Sequence, residues 1–314
     1  RRVIPARRGA PYEKGGDMPN AGRKKRSSKL PVLLVAPALV LLALFTFAPA
    51  GYAAYLSLMK LHVTGGLLGT SSAQVFAGLS NYSDTFHDPE FWHSLGRMLL
   101  IAVIGVPSTV ILATAFALCL DANSARLTTV TRLAIFLPYA VPGVIASILW
   151  GFLYLPATSP IGGSVINYFG NREIFFTVAN VAVWGVVGFN TVVLYTALRA
   201  LPRDVRQAAE IDGASELQIA LHVKLPQIAP AIAMIALFSV IGALQLFNEP
   251  TALKPLTNAI TSTWVPLMRV YSDAFVNNNI YGGAASAFTL LVMTVALTVG
   301  GGAVVTRLIG RQSK

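Results

Sequence analysis

Six stretches of this chain are apolar over about 20 residues each, the length an α-helix needs to cross the hydrocarbon core of a bilayer. They run over Pro31–Leu56, Met98–Leu120, Leu133–Leu155, Phe176–Leu198, Ala229–Phe247 and Ala284–Thr306. Inside a bilayer every backbone N–H and C=O must be bonded within the protein, so apolar runs of this length are predicted to be helices. The expected fold class is therefore all-α: a polytopic membrane protein with six transmembrane helices. Only 12% of the 314 residues are charged and 54% are hydrophobic, against about 25% charged in a soluble domain. That balance excludes a soluble, collagen-like or disordered protein. The single cysteine, Cys119, lies inside an apolar run, so no disulfide framework or Cys-rich metal site is expected.

An even number of spans puts both ends of the chain on one side. With the N-terminus in the cytoplasm, 19 of the 24 Lys and Arg fall inside: ten in the first 29 residues, two in 121–132, four in 199–229 and three in 307–314. The positive-inside rule therefore predicts that both termini are cytoplasmic. The net charge of +11 belongs largely to the basic tail, which argues against nucleic acid as a partner. Residues 1–29 lack apolar periodicity and are predicted to form a disordered tail on the membrane surface. The first apolar run is longer than the core of a secretory signal and ends without a clear small-residue cleavage site, so it counts as a membrane helix. Residues 30–310 form the expected membrane domain. Segments 57–97, 156–175 and 250–283 then lie outside and are together large enough for a docking face. Their Trp and Tyr also suit an interfacial belt.

The cytoplasmic segment 199–229 is punctuated as two short helices. Pro202 suits a first helical turn and Gly213 suits the left-handed residue that ends a helix. Ser215-Glu216-Leu217-Gln218 has the pattern of a capping box, and Pro226 is predicted to stop the second helix. On the first helix Val205, Ala208, Ala209 and Asp212 share one small, nearly smooth face, which suits close approach by another protein.

This segment resembles the signature loop of the permease subunits of bacterial ATP-binding-cassette importers. The matching residues are Gln207-Ala208-Ala209-Glu210-Ile211-Asp212-Gly213-Ala214, followed at the same spacing by Val223-Lys224-Leu225-Pro226. The carbohydrate-importer branch, with the maltose and glycerol-phosphate permeases, is also similar at Phe76-Ala77-Gly78-Leu79-Ser80-Asn81-Tyr82, Phe91-Trp92, Leu137-Pro138, Leu149-Trp150 and Ala243-Leu244-Gln245-Leu246-Phe247. The resemblance covers about residues 30–310. It implies an importer-type permease fold in the bacterial plasma membrane, and a sugar as substrate. It also implies three kinds of partner: a cytoplasmic ATPase dimer, a second homologous permease subunit and an external sugar-binding protein. Gln207, Ala208, Ala209, Glu210, Asp212, Gly213, Ala214, Leu225 and Pro226 are the implied ATPase-coupling residues.

The chain departs from the family pattern at Gln207, where Glu is usual, with Glu210 one turn on as a substitute carboxylate. It departs again at Leu256-Thr257-Asn258-Ala259, in place of a Gly-Gly-Pro turn, and at Arg97, where an uncharged residue is usual. The chain has no G-x-x-x-x-G-K-[ST] phosphate loop, so it is not expected to be an enzyme. Mg-ATP is expected on the partner ATPase and no cofactor on this chain. For the substrate path the candidates are Trp184, Phe189 and Asn190, beside Gly185 and Gly188, with Gln245, Asn248 and Glu249. Aromatic faces and amides in one place suit a sugar, while helix packing is the alternative role for each. A solitary carrier driven by an ion gradient is the other functional class, although no span interior holds an ionisable side chain.

Overall fold

The structure, a computed structural model, describes residues 30–64, 71–122, 127–160 and 165–312. The expected tail over 1–29 lies outside them. Two units are distinguished, divided between Pro49 and Ala50. The first consists of helix α1 (Leu30–Leu42), a π-helical turn (Ala43–Phe47) and the start of α2 (Ala48–Ser57). Val32–Ser57 is apolar and long enough to cross a membrane.

The second unit continues through α2 into an antiparallel hairpin, β1 (Met59–Thr64) and β2 (Ser71–Phe76), in which Met59 pairs with Phe76 and Thr64 with Ser71. Apart from this two-stranded hairpin the described residues are mostly helical, in line with the expected all-α class. The hairpin strands alternate weakly and are too short to register beside spans of 20 apolar residues. Helices α3 (Ser80–His87), α4 (Pro89–Asp121), α5 (Thr128–Phe136), α6 (Gly143–Tyr154) and α7 (Glu173–Arg199) follow. A polar segment contains α8 (Arg203–Ile211), α9 (Glu216–Gln218), a π-helical stretch (Ile219–Lys224) and α10 (Leu225–Gln227). The chain ends with α11 (Ala229–Leu244), α12 (Asn248–Leu253), α13 (Pro266–Tyr271) and α14 (Ile280–Gln312).

Among the described residues four helices are long and apolar enough to cross a membrane singly, and up to six spans result if each of two bent pairs counts as one. The expected third span is broken. Its two halves, Thr128–Ala140 and Gly143–Tyr154, meet at 99°, because Pro138, Pro142 and Gly143 interrupt the helix within six residues. The second bend, of 70°, separates Glu216–Gln227 from Ala229–Leu244. Pro226 does not stop its helix as expected. It continues the helical stretch Glu216–Gln227, directly after the π-helical turns. The turn instead falls at Ile228.

The core is built on α4, α7 and α11. One cluster joins Leu95, Met98, Ile101, Ile174, Val178 and Leu244 to Leu253, Trp264, Val265 and Met268. The other joins Ala113, Ala117, Val183, Val187, Leu194, Leu198, Ile228 and Ile235. Gly188 allows α7 to approach α5, since a methyl group there would overlap the Ile135 carbonyl, whereas a methyl at Gly185 would meet nothing. Large apolar side chains such as Val103, Ile111, Phe152, Phe176, Phe238 and Val292 are exposed. An apolar surface this extensive is compatible with lipid and not with water.

The end of the unit near the start of α4 is held by polar contacts. Asn81 donates to the carbonyls of Ser57 (2.8 Å) and Met59 (2.7 Å), and Ser57 Oγ lies 2.6 Å from the Tyr82 hydroxyl. Gly78 adopts φ +57° immediately before α3. The Gly78-Leu79-Ser80-Asn81-Tyr82 motif thus fastens the hairpin to α3. Arg97 pairs with Glu90 at 2.9 Å and also donates to the Trp264 carbonyl, while Arg269 pairs with Asp88 at 2.7 Å. The unusual Arg97 therefore ties α4 to the segment before α13.

Candidate functional site

Two groups of residues sit at different levels along α4, a helix of 33 residues that is about 50 Å long at 1.5 Å per residue. The first group is at the Asp121 end. Helix α8 ends in a Schellman turn: Gly213 N–H donates to the Glu210 carbonyl (3.1 Å), Ala214 N–H to the Ala209 carbonyl (3.0 Å), and Gly213 takes φ +79°. Asp212 is the C-cap residue. The next turn opens with the expected capping box, in which Ser215 N–H donates to Gln218 Oε1 at 2.8 Å and Gln218 N–H to Ser215 Oγ at 3.4 Å. Arg206 bridges the two short helices, donating to Glu210 and Glu216 at 2.9 Å each. Glu210, the substitute for the missing carboxylate at Gln207, is thus engaged inside the segment.

The segment is anchored from beneath. Ile219 is 1% exposed, and Lys224 Nζ lies 2.7 Å from Asp121 Oδ2, with the two side chains 7% and 9% exposed. Above this anchor Val205, Ile211, Leu217 and Leu221 are exposed apolar side chains on a polar segment, and Ile211 is 86% exposed. Gln207, Ala208, Asp212 and Pro226 are also exposed; Ala209, Ala214 and Leu225 are half-buried. A groove of about 350 Å³ runs beside α8, lined by Val205, Arg206, Gln207 and Glu210 and, across from them, Asp121 and Lys224. The Lys224–Asp121 pair was not legible as a site. The two residues are 103 apart, and only the fold brings them together.

The second group surrounds a cavity of about 420 Å³ between α4, α7 and α11, at the level where the two core clusters meet. Phe189, Asn190, Gln245, Asn248 and Glu249 line it, so five of the six expected path residues converge. Trp184 does not. Each helical residue turns about 100°, which places Trp184 on the far side of α7 from Ala182, Val186, Phe189 and Asn190. There it packs edge-on against Trp150, at 5.9 Å between ring centroids. Tyr139, from the break between α5 and α6, joins the cavity and stacks on Phe189 at 4.9 Å and 23°. Its signal was the Leu137-Pro138-Tyr139 interruption of an otherwise apolar run. The side-chain amides of Asn190, Gln245 and Asn248 make no hydrogen bond to another described residue. Ser239, also on the lining, has a buried hydroxyl with no partner among the described residues. Glu249 Oε1 lies where a methyl group on Gly143 would touch it at 3.4 Å, beside the start of α6. The cavity therefore combines an aromatic face with unspent hydrogen-bonding capacity, a combination that suits a polar ligand with C–H surfaces.

The sequence profile of the family described as binding-protein-dependent transport system inner membrane component matches residues 27–311. The chain belongs to this family. It is therefore a membrane-embedded component of a transport system that works with a binding protein, and not an enzyme. Among similar proteins is the sn-glycerol-3-phosphate transport system permease protein UgpA of Shigella flexneri, 28% identical over 292 residues that cover 87% of this chain and 93% of the relative. The same-named protein of Salmonella typhimurium is 27% identical over 289 residues, with the same coverage. A bacterial ABC transporter involved in the import of the acidic polysaccharide alginate has a chain of the same fold. Its TM-score is 0.73 at 15% identity, covering 88% of this chain and 95% of the other. The alginate transporter in complex with an alginate pentasaccharide-bound periplasmic protein gives 0.72 at 16% identity, with 89% and 95% covered.

Proposed function

We propose that this chain is the transmembrane subunit of an ATP-driven sugar importer in the bacterial plasma membrane, with six spans and both termini in the cytoplasm. The two bent helix pairs each count as one span in this reading, and the distribution of Lys and Arg supports the orientation. The observation that carries the proposal is the anchored segment 203–227. A partner seated on its exposed Val205, Ile211, Leu217 and Leu221 would transmit force through Ile219 and the Lys224–Asp121 pair into α4, and through Ile228 into α11. That suits a cytoplasmic ATPase dimer, which holds the Mg-ATP and biases two states of the helix bundle.

Gln207, Ala208, Ala209, Glu210, Asp212, Gly213, Ala214, Leu225 and Pro226 belong to that contact. The cavity bearing Phe189, Asn190, Gln245, Asn248 and Glu249 is the substrate path. At the opposite end, the hairpin and α3 offer a face to an external sugar-binding protein. A second, homologous permease subunit completes the pathway as a heterodimer. The similarity to glycerol-phosphate and alginate transporters supports a polyhydroxylated substrate.

The test is site-directed cross-linking in native membranes. A cysteine replacing the exposed Ala208 is expected to cross-link to a phosphate-loop ATPase, identified by mass spectrometry. Cross-linking that never captures an ATPase, with uptake indifferent to ATP, would overturn the proposal.

A further inference from the structure

We infer that the cavity selects an electrically neutral sugar and excludes anionic ones, including substrates of the glycerol-phosphate and alginate kind. The inference rests on the proposed role of the cavity as the substrate path and adds the charge of the cargo.

Among the described residues lining the cavity none is Lys, Arg or His. A phosphate or carboxylate entering it would leave water without meeting a counter-charge, and an unpaired charge is strongly disfavoured in such a place. The one carboxylate among the described lining residues is Glu249, and Tyr139 adds a phenol, which carries no positive charge in either form. Ionised, Glu249 repels an anion; protonated, it still supplies no positive charge. The basic side chains nearest in sequence to the lining residues of α4 and α12 are occupied or elsewhere. Arg97 is paired with Glu90, and Lys254 is exposed at the end of α12.

What the cavity does offer suits hydroxyl groups. Asn190, Gln245 and Asn248 present amides that both donate and accept. Glu249 is a strong acceptor, and the stacked Tyr139–Phe189 pair gives a flat apolar face for the C–H side of a sugar ring. Amides that satisfy hydroxyls without a net charge are the chemistry of neutral saccharide recognition.

The experiment uses the complete transporter with its ATPase and binding protein, in vesicles. Uptake is measured for a panel of neutral mono-, di- and trisaccharides, for sn-glycerol-3-phosphate and for alginate trisaccharide. The expected result is ATP-dependent uptake of at least one neutral sugar, with both anionic probes carried at about one-hundredth of that rate or less. ATP-dependent uptake of either anion at a rate comparable to the best neutral sugar would overturn the inference. A cation contributed by a second permease subunit would appear as that result. The variants Phe189→Ala and Gln245→Ala separate the two levels of argument. If they abolish uptake while the parent transporter carries an anion, only the charge selectivity fails; if uptake is unchanged in both, the cavity is not the path and the inference falls with it.

Discussion

Replacing Lys224 by methionine tests how the segment 203–227 is fastened to the bundle. The ion pair joins Nζ to Oδ2 at 2.7 Å with both side chains more than nine-tenths buried, so loss of the cation strands the Asp121 carboxylate. Removing one partner of a buried pair generally destabilises by about 3–5 kcal/mol. Asp121 is also the last residue of α4, where the negative end of the helix dipole opposes a lone carboxylate by up to about 1 kcal/mol. The converse substitution, Asp121→Leu, leaves a lysine facing that same helix end, which is favourable. Lys224→Met is therefore expected to be the more damaging single change by about 1 kcal/mol or more. Asp121→Leu combined with Lys224→Met should recover most of the loss, because apolar replacement of a buried pair is often neutral or stabilising. Thermal unfolding of the purified protein in mild detergent gives the readout. The single variant should melt on the order of 10 °C below the parent, with the double variant close to it. A double variant no more stable than Lys224→Met, or a Lys224→Met variant that melts with the parent, would refute the reasoning.

Gly188→Ala should prevent α7 from seating on α5 and sharply reduce the yield of folded protein, while Gly185→Ala, with open space around it, should melt with the parent; size-exclusion profiles in detergent compare them. Ser215→Ala removes half of the capping box and is expected to destabilise the turn by about 1 kcal/mol, seen as faster proteolysis within 203–227 while the bundle stays intact. Gly213→Ala places a side chain at φ +79°, a strain of about 1–2 kcal/mol, and Gly213→Pro should leave the protein inserted but abolish uptake; normal uptake by the proline variant would contradict the coupling role. Asn81→Leu removes both hydrogen bonds that hold the Ser57 and Met59 carbonyls and should release the hairpin, measured as increased hydrogen exchange over 71–76.

The apolar segments were legible because hydropathy over 20 residues records what lipid requires, and the polar segment 203–227 was legible because its caps and turn are local chemistry. Gly213, Ser215 and Gln218 act within a few residues of one another, and the structure forms the Schellman turn and capping box that their spacing predicts. Geometry within the spans was harder to read. A continuous apolar run does not reveal that Pro138 and Pro142 bend it by 99°, although the prolines were in view, and Tyr139 enters the cavity only because of that bend. Trp184 was grouped with Phe189 by proximity in sequence, whereas helical phase separates them. Pro226 was expected to end a helix, and the π-helical stretch before it moved the break to Ile228. The Lys224–Asp121 pair and the Ser239 hydroxyl, which has no partner among the described residues, depend on contacts across the fold and had no local signature.

Uptake in vesicles made from cells that carry the complete transporter, with ATP supplied on the cytoplasmic side, tests the central claim most directly when the parent is compared with Ala209→Arg. That variant places a long charged side chain on the small face of α8 while leaving the cavity untouched. The account predicts equal insertion of both proteins, ATP-dependent uptake by the parent and none by the variant. Equal uptake by the two, or uptake by the parent that continues without ATP, would contradict it.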